Sequence, residues 1–349
     1  MKKYLKVLLM LVVLAFATFS AVLGTKVLSE ERITTDPSDK YNPAIYGDIV
    51  VWHDYRNGVS DIYGYNLKTK EEDFQITTNE SGQINPAIYG DIVVWHDYRN
   101  DNADIYGYNL KTKEEDFQIT TDTNGQYNPA IYGDIVVWQD NRNGNSDIYG
   151  YNLKTKEEDF QITTNTSVQE NPAIYGDIVV WQDNRNGNSD IYGYNLKTKE
   201  EFRITTNTLA QYYPAIYGDI VVWQDDRNGN SDIYGYNLKT KEEFQITTNA
   251  SGQFNPAIYG DIVVWQDNRN SSLDIYGYNL KTKEEFQITT DTSYQQYEPA
   301  VYCDRVVWRD DRNGNSDFYI AYLDVVCETP KKSLPITQIM KILGLWPNE

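Results

Sequence analysis

Two histidines, His53 and His96, are the only imidazoles in the 349-residue chain, so a proton relay or a nitrogen-ligated metal would have to start from them. Both stand in the phrase Trp-His-Asp-Tyr-Arg-Asn, and the matching position in a later copy is Gln139. Equivalent residues in sheets packed face to face lie roughly 10 Å apart, too far to share an ion. The exchange therefore reads as a glutamine-to-histidine swap near a strand end. The run Asp140-Asn141-Arg142-Asn143-Gly144-Asn145-Ser146-Asp147 has the oxygen density of a calcium loop, but Arg142 puts a cation where a carboxylate belongs. A turn is expected instead, its aspartates bonding backbone amides and pairing with the arginine, with calcium between ring-related carboxylates as the alternative. The repeats contain no glycine-rich phosphate loop, paired-cysteine zinc pattern or Gly-x-Ser-x-Gly elbow. No catalytic residue, metal or cofactor is expected on these grounds.

The positions recur because the chain repeats. The proline opening each Pro-Ala-(Ile/Val)-Tyr phrase returns at Pro43, Pro86, Pro129, Pro172, Pro214, Pro256 and Pro299, in steps of 43, 43, 43, 42, 42 and 43 residues. Seven of the eight tryptophans keep the same register, from Trp52 to Trp308. In the third unit, Tyr132-Gly133-Asp134, Asn141–Asn145 and Lys154–Glu157 punctuate four short extended runs: Pro129–Tyr132 (A), Asp134–Asp140 (B), Asp147–Leu153 (C) and Glu158–Thr164 (D). Strand B carries Ile135, Val136, Val137 and Trp138 without alternation, so both of its faces must be dry. Helical spacing of apolar residues is missing, which excludes a helical solenoid. The pattern predicts an all-β, seven-bladed β-propeller of four-stranded antiparallel blades.

The ends of the array predict how the ring closes. The seventh unit stops at Val325-Val326-Cys327 without a strand D, while Glu31-Arg32-Ile33-Thr34-Thr35-Asp36, ahead of the first unit, copies one. An N-terminal strand completing the last blade would remove the open edges. Gly150, inside strand C, predicts close approach by a neighbour, assigned here to the Trp138-type indole of the adjacent blade. Cys303 in an A-to-B turn and Cys327 after strand C fall at the same end of a blade, so a disulfide is expected, with two free thiols as the alternative.

In the order of its pieces the chain resembles the TolB-like propeller repeats of exported and surface proteins of archaea and bacteria. The shared parts are a proline-led strand, Ile-Val-Val-Trp, a polar loop, Asp-Ile-Tyr and a closing Ile-Thr-Thr, from about Glu31 to Cys327. Ile-Tyr-Gly-Asp replaces the Ser-Pro-Asp-Gly turn of that family, and TolB itself has six blades. The resemblance implies fold and export. It implies no activity, because propellers carry lyases, peptidases, lectins and scaffolds alike.

Residues 1–24 run from Lys2, Lys3 and Lys6 into an apolar stretch, which predicts a cleaved signal peptide or, alternatively, an uncleaved anchor. The propeller is assigned to 31–327 and a tail to 328–349, where Ile336, Ile339, Met340 and Leu343 have helical spacing. A secreted or cell-surface location is expected, periplasmic in a Gram-negative cell. With 31 basic against 51 acidic residues the net charge is −20, which argues against nucleic acid and anionic lipid as partners. No transmembrane domain is expected after signal cleavage.

Copying is loosest in the D-to-A loops, where a kept glutamine precedes Ile84, Tyr127, Glu170, Tyr212, Phe254 and Tyr297. Tyr127, Tyr212, Phe254 and Tyr297, with Arg142, Arg185, Arg227 and Arg269, are the candidate ligand residues for a glycan or protein of the envelope or exterior. The alternative is that the aromatics plug spaces between blades and the arginines only partner their loop aspartates. Seven near-identical units make an asymmetric active site hard to build. The chain is therefore expected to be a non-catalytic, multivalent binding or scaffold module, with a propeller-fold carbohydrate lyase or hydrolase and a purely structural envelope protein as alternatives.

Overall fold

In the computed structural model the described residues are 24–291 and 293–327. The assigned signal segment, but for its last residue, and the tail lie outside them. The strands form seven four-stranded antiparallel sheets, each in the order A-B-C-D, arranged as a propeller. In blade three these are Gln126–Tyr132, Ile135–Asp140, Asp147–Asn152 and Phe160–Gln161. Strand A starts three residues before its proline, so half of the variable loop is strand. Its entrance is a bulge: register shifts between Tyr127 and Ala130, and Asn128 takes φ of 51°.

Strand B stacks the blades. Val136 and Trp138 face Val94 and Ile105 of blade two, while Val137 faces Ile174, Val179 and Trp181 of blade four. The seven tryptophans of the repeats are fully buried, and removing one such side chain costs about 3–5 kcal/mol. The buried indole N–H needs an acceptor, and Trp138 Nε1 donates to Asp140 Oδ2 at 2.8 Å.

Gly150 answers to a different aromatic from the one expected. A β-carbon there would stand 2.8 Å from ring atoms of Phe160, its partner on strand D of the same blade. The expected indole, Trp181 of blade four, packs on the same face against Val137, the cross-strand partner of Gly150, but the atoms nearest that β-carbon belong to Phe160 and Ile162.

Strand D has two lengths. Blades one to three read Lys-Glu-Glu-Asp-Phe and pair only two residues there, whereas blades four to six read Lys-Glu-Glu-Phe and pair four. One inserted aspartate accounts for the difference.

The seventh blade is composite: Val27–Arg32 pairs antiparallel with Asp317–Leu323 and runs into the Glu31–Asp36 copy that suggested it, whose Ile33 N–H donates to the Phe318 carbonyl. Arg32 Nη2 lies 2.6 Å from the buried Asp317 carboxylate, and Lys40 Nζ 3.6 Å from it. Lys40 is fully buried and also donates to the carbonyls of Asp36 and Ser38. Cys303 and Cys327 are joined, with their α-carbons 5.3 Å apart, which ties the end of the seventh blade to its own A-to-B turn.

Candidate functional site at the channel mouth

The seven A strands face the axis, and each contributes one residue to either end of the channel. At one end Tyr46, Tyr89, Tyr132, Tyr175, Tyr217, Tyr259 and Tyr302 form an unbroken ring, with neighbouring centroids 4.5–4.9 Å apart and planes tilted by 47–54°. That tilt is close to one-seventh of a full turn, so the rings stand like paddles, face towards face. Burial and the neighbouring phenols push the hydroxyls of Tyr46, Tyr89, Tyr132, Tyr175 and Tyr259 up. This end is ringed by phenols.

The other end is a basin of about 380 Å³ lined by the residues before the seven prolines and by the prolines themselves. Five of those residues are asparagines; Tyr213 and Glu298 take the remaining places. All seven have φ near +50°, which asparagine tolerates better than most residues, so the two exceptions hold their places at some cost in strain. Repetition builds a sevenfold ring and two substitutions break it.

The layer beneath is unequal as well. Gln182 and Gln266 accept from Asn171 and Asn255 at 3.4 and 3.1 Å, and Gln266 also accepts from the Glu298 backbone N–H at 2.8 Å. In blades one to three the asparagines instead bond one another, Asn42 to Asn85 at 2.6 Å and Asn85 to Asn128 at 2.9 Å. In blades one and two His53 and His96 hold the glutamine position, and burial pushes both imidazoles down to about 4, so they are neutral at pH 7. In blade seven the position is Arg309, whose Nη1 lies 3.3 Å from Glu298 Oε1. Glu298 Oε2 accepts the Asn42 backbone N–H at 2.7 Å. Three blades round the ring, Glu170 is half-buried with Oε1 accepting from Gln182 at 2.7 Å, and burial raises its pKa.

The residues singled out from sequence divide here. Arg142 is held by Asp140 and Asp159, both at 2.6 Å, and lies 4.1 Å over the Tyr149 ring. Arg185, Arg227 and Arg269 repeat this with Glu201, Glu243 and Glu285 as the second carboxylate. Asp140 also accepts the Arg142 backbone N–H at 2.9 Å, the turn expected in place of a calcium loop. The kept glutamines are fully buried loop latches, as where Gln253 Nε2 donates to the Ser251 carbonyl at 2.6 Å. Tyr127, Tyr212, Phe254 and Tyr297 each stand one residue before the mouth ring, half-buried: Tyr127 meets His96 with centroids 5.7 Å apart, and Tyr297 lies 4.3 Å under Arg309. Sequence reasoning passed over Glu298, Tyr213 and Glu170. Their signal was legible, as departures from asparagine or an aromatic at aligned positions.

No family model matches the chain, and no curated protein matches it in sequence. Solved structures do. An oligogalacturonate lyase in complex with manganese superposes with a TM-score of 0.65 at 15% identity, covering 86% of this chain and 96% of that one. The oligogalacturonate lyase of Vibrio parahaemolyticus gives 0.65 and 15%, covering 86% and 98%. The propeller domain of the Trilobed protease of Pyrococcus furiosus gives 0.64 and 14%, covering 82% and 96%. At such identities the likeness shows the fold alone. It nevertheless corrects the expectation of a protein that is not an enzyme, since a lyase fills this architecture over nearly its whole length. The reasoning failed because asymmetry does not need unlike blades: single exchanges at Glu298, Tyr213, Glu170 and the two histidines supply it.

Proposed function

We propose that the chain is an exported, propeller-fold carbohydrate-active enzyme that cleaves glycosidic bonds of an envelope or extracellular saccharide at the asparagine-ringed mouth. The observation that carries this reading is one concave mouth whose asparagine ring is broken by Glu298 and Tyr213, with Glu170 one residue behind that ring. Glu170, raised by burial, suits the proton donor, and Glu298, which accepts the Asn42 backbone N–H and faces Arg309, is the carboxylate at the mouth itself. Asparagine amides and Tyr213 around them offer donors and acceptors matched to sugar hydroxyls. The far end is ringed by tyrosines, and the polar mouth is on the asparagine side. Names of the fold's neighbours, a lyase for oligogalacturonate and several peptidases, support catalysis in general and a saccharide in particular. The resemblance to TolB-like repeats and the Cys303–Cys327 disulfide support an oxidising compartment outside the cytoplasm.

The test is incubation of purified protein with a panel of envelope and plant oligosaccharides, following new reducing ends and the ultraviolet absorbance of unsaturated ends. Turnover that falls about 100-fold or more in Glu170→Gln supports the assignment. Absence of any product across the panel, or full activity in Glu170→Gln, contradicts it.

A further inference from the structure

Blades one and two depart from blades three to six at two positions at once. Where those read Trp-Gln-Asp-(Asn/Asp)-Arg-Asn, glutamine gives way to His53 and His96, and the residue two places on to Tyr55 and Tyr98. The exchanges meet in space. Tyr55 lies edge-on to His53 with centroids 5.9 Å apart, and Tyr98 edge-on to His96 at 5.6 Å. The tyrosines are 48% and 41% exposed, while the imidazoles are 5% and 2% exposed. Neither ring nitrogen of His96, nor Nδ1 of His53, has a hydrogen-bond partner among the described residues. An unpaired buried nitrogen is costly, and the propeller does not require one, because blades three to six build the same strand with glutamine. Each imidazole lies between two tyrosines, His53 between Tyr41 and Tyr55 and His96 between Tyr98 and Tyr127. The exposed member of each pair can change rotamer fast enough to admit a ligand beside the other.

We propose that His53–Tyr55 and His96–Tyr98 are twin subsites, one per blade, for two sugar units of an uncharged oligosaccharide. Each tyrosine face stacks on a sugar ring, and each imidazole takes a hydroxyl. Charge selects the class of ligand. Arg56 and Arg99, beside the tyrosines, are each held by two carboxylates, Asp54 with Asp73 and Asp97 with Asp116. Apart from Lys26 and the buried Lys40, the described lysines stand in C-to-D turns, at the far end of the blades. A polyuronide would therefore meet a protein of net charge −20 in which the arginines near these tyrosines among the described residues, Arg56, Arg99 and Arg309, already face carboxylates. This inference rests on the reading of the mouth as a saccharide site and names its substrate class.

The test compares the full protein with Tyr55→Asn/Tyr98→Asn and with His53→Gln/His96→Gln, which give blades one and two the residues of blade three. Neutral xylo-, cello-, manno- and β-1,3-gluco-oligosaccharides and, separately, oligogalacturonate are titrated by calorimetry. The expected result is binding of a neutral oligomer that weakens at least about tenfold in the tyrosine pair, with an unchanged melting temperature, and weaker binding of oligogalacturonate than of that oligomer. Three outcomes overturn the proposal: no neutral oligomer binds, the tyrosine pair binds as the parent does, or oligogalacturonate binds tightest. Failure here is separable from failure at the mouth. Binding that depends on the tyrosines in a protein without turnover removes only the catalytic reading, whereas turnover with KM unchanged in the tyrosine pair removes only the twin subsites.

Discussion

Phe160 lies against the bare α-carbon of Gly150, its ring atoms 2.8 Å from the place of a β-carbon, and the two are cross-strand partners. The same pairing recurs as Gly64 with Phe74 and Gly235 with Phe244. A methyl group at Gly150 displaces the ring that covers the outer edge of the blade. Gly150→Ala is expected to lower stability by about 1–3 kcal/mol in urea unfolding. An unchanged midpoint would mean that the ring moves aside freely.

Burial holds His53 and His96 at about 4, below the usual 6.5. Between those values the unfolded chain binds protons that the folded chain refuses, so stability falls as pH drops from 6.5 to 4 and the loss levels off below 4. The parent is expected to lose on the order of 3 kcal/mol per histidine over that window relative to His53→Gln/His96→Gln. Parallel pH–stability curves for the two proteins would contradict this.

The Cys303–Cys327 bond closes a loop with a sequence separation of 24, for which chain entropy predicts about 3 kcal/mol of stabilisation. Reduction should lower the melting temperature. Cys303 also sits at φ of 62°, in a turn where the other six blades carry glycine. Cys303→Gly/Cys327→Ser is therefore expected to be more stable than Cys303→Ala/Cys327→Ser, and the reverse order would deny strain at this turn.

Ring closure turns on Asp317, which meets Arg32 at 2.6 Å and the buried Lys40 at 3.6 Å. Asp317→Asn leaves Lys40 buried with weaker compensation and should cost about 3–5 kcal/mol. The loss should appear together with faster hydrogen exchange at Val27–Arg32. If that strand keeps its protection, closure does not depend on this contact.

The fold was legible because each rule acts within one blade: unbroken apolar residues in strand B, a proline in strand A and polar turns between short extended runs. Gly150 marked a close approach but not its partner, Phe160. Blade number and the composite seventh blade followed from counting prolines and finding a displaced strand. The site was harder to read, because attention fell on the variable loop and its aromatics. Half of that loop is strand A, and its glutamine is a buried latch. The arginines were conspicuous by repetition, yet repetition is what a structural pair of carboxylates requires. Glu298 and Tyr213 are single letters among seven copies, and only the ring geometry gives them one location.

The central claim is that breaking the asparagine ring at Glu298 creates the reactive mouth, and Glu298→Asn restores the residue found at five of its seven places. The measurement is turnover of the preferred oligosaccharide by this variant beside the parent, with melting temperature as the control. The account predicts an intact fold and a loss of about 100-fold or more in kcat. A variant that folds and turns over like the parent would contradict it.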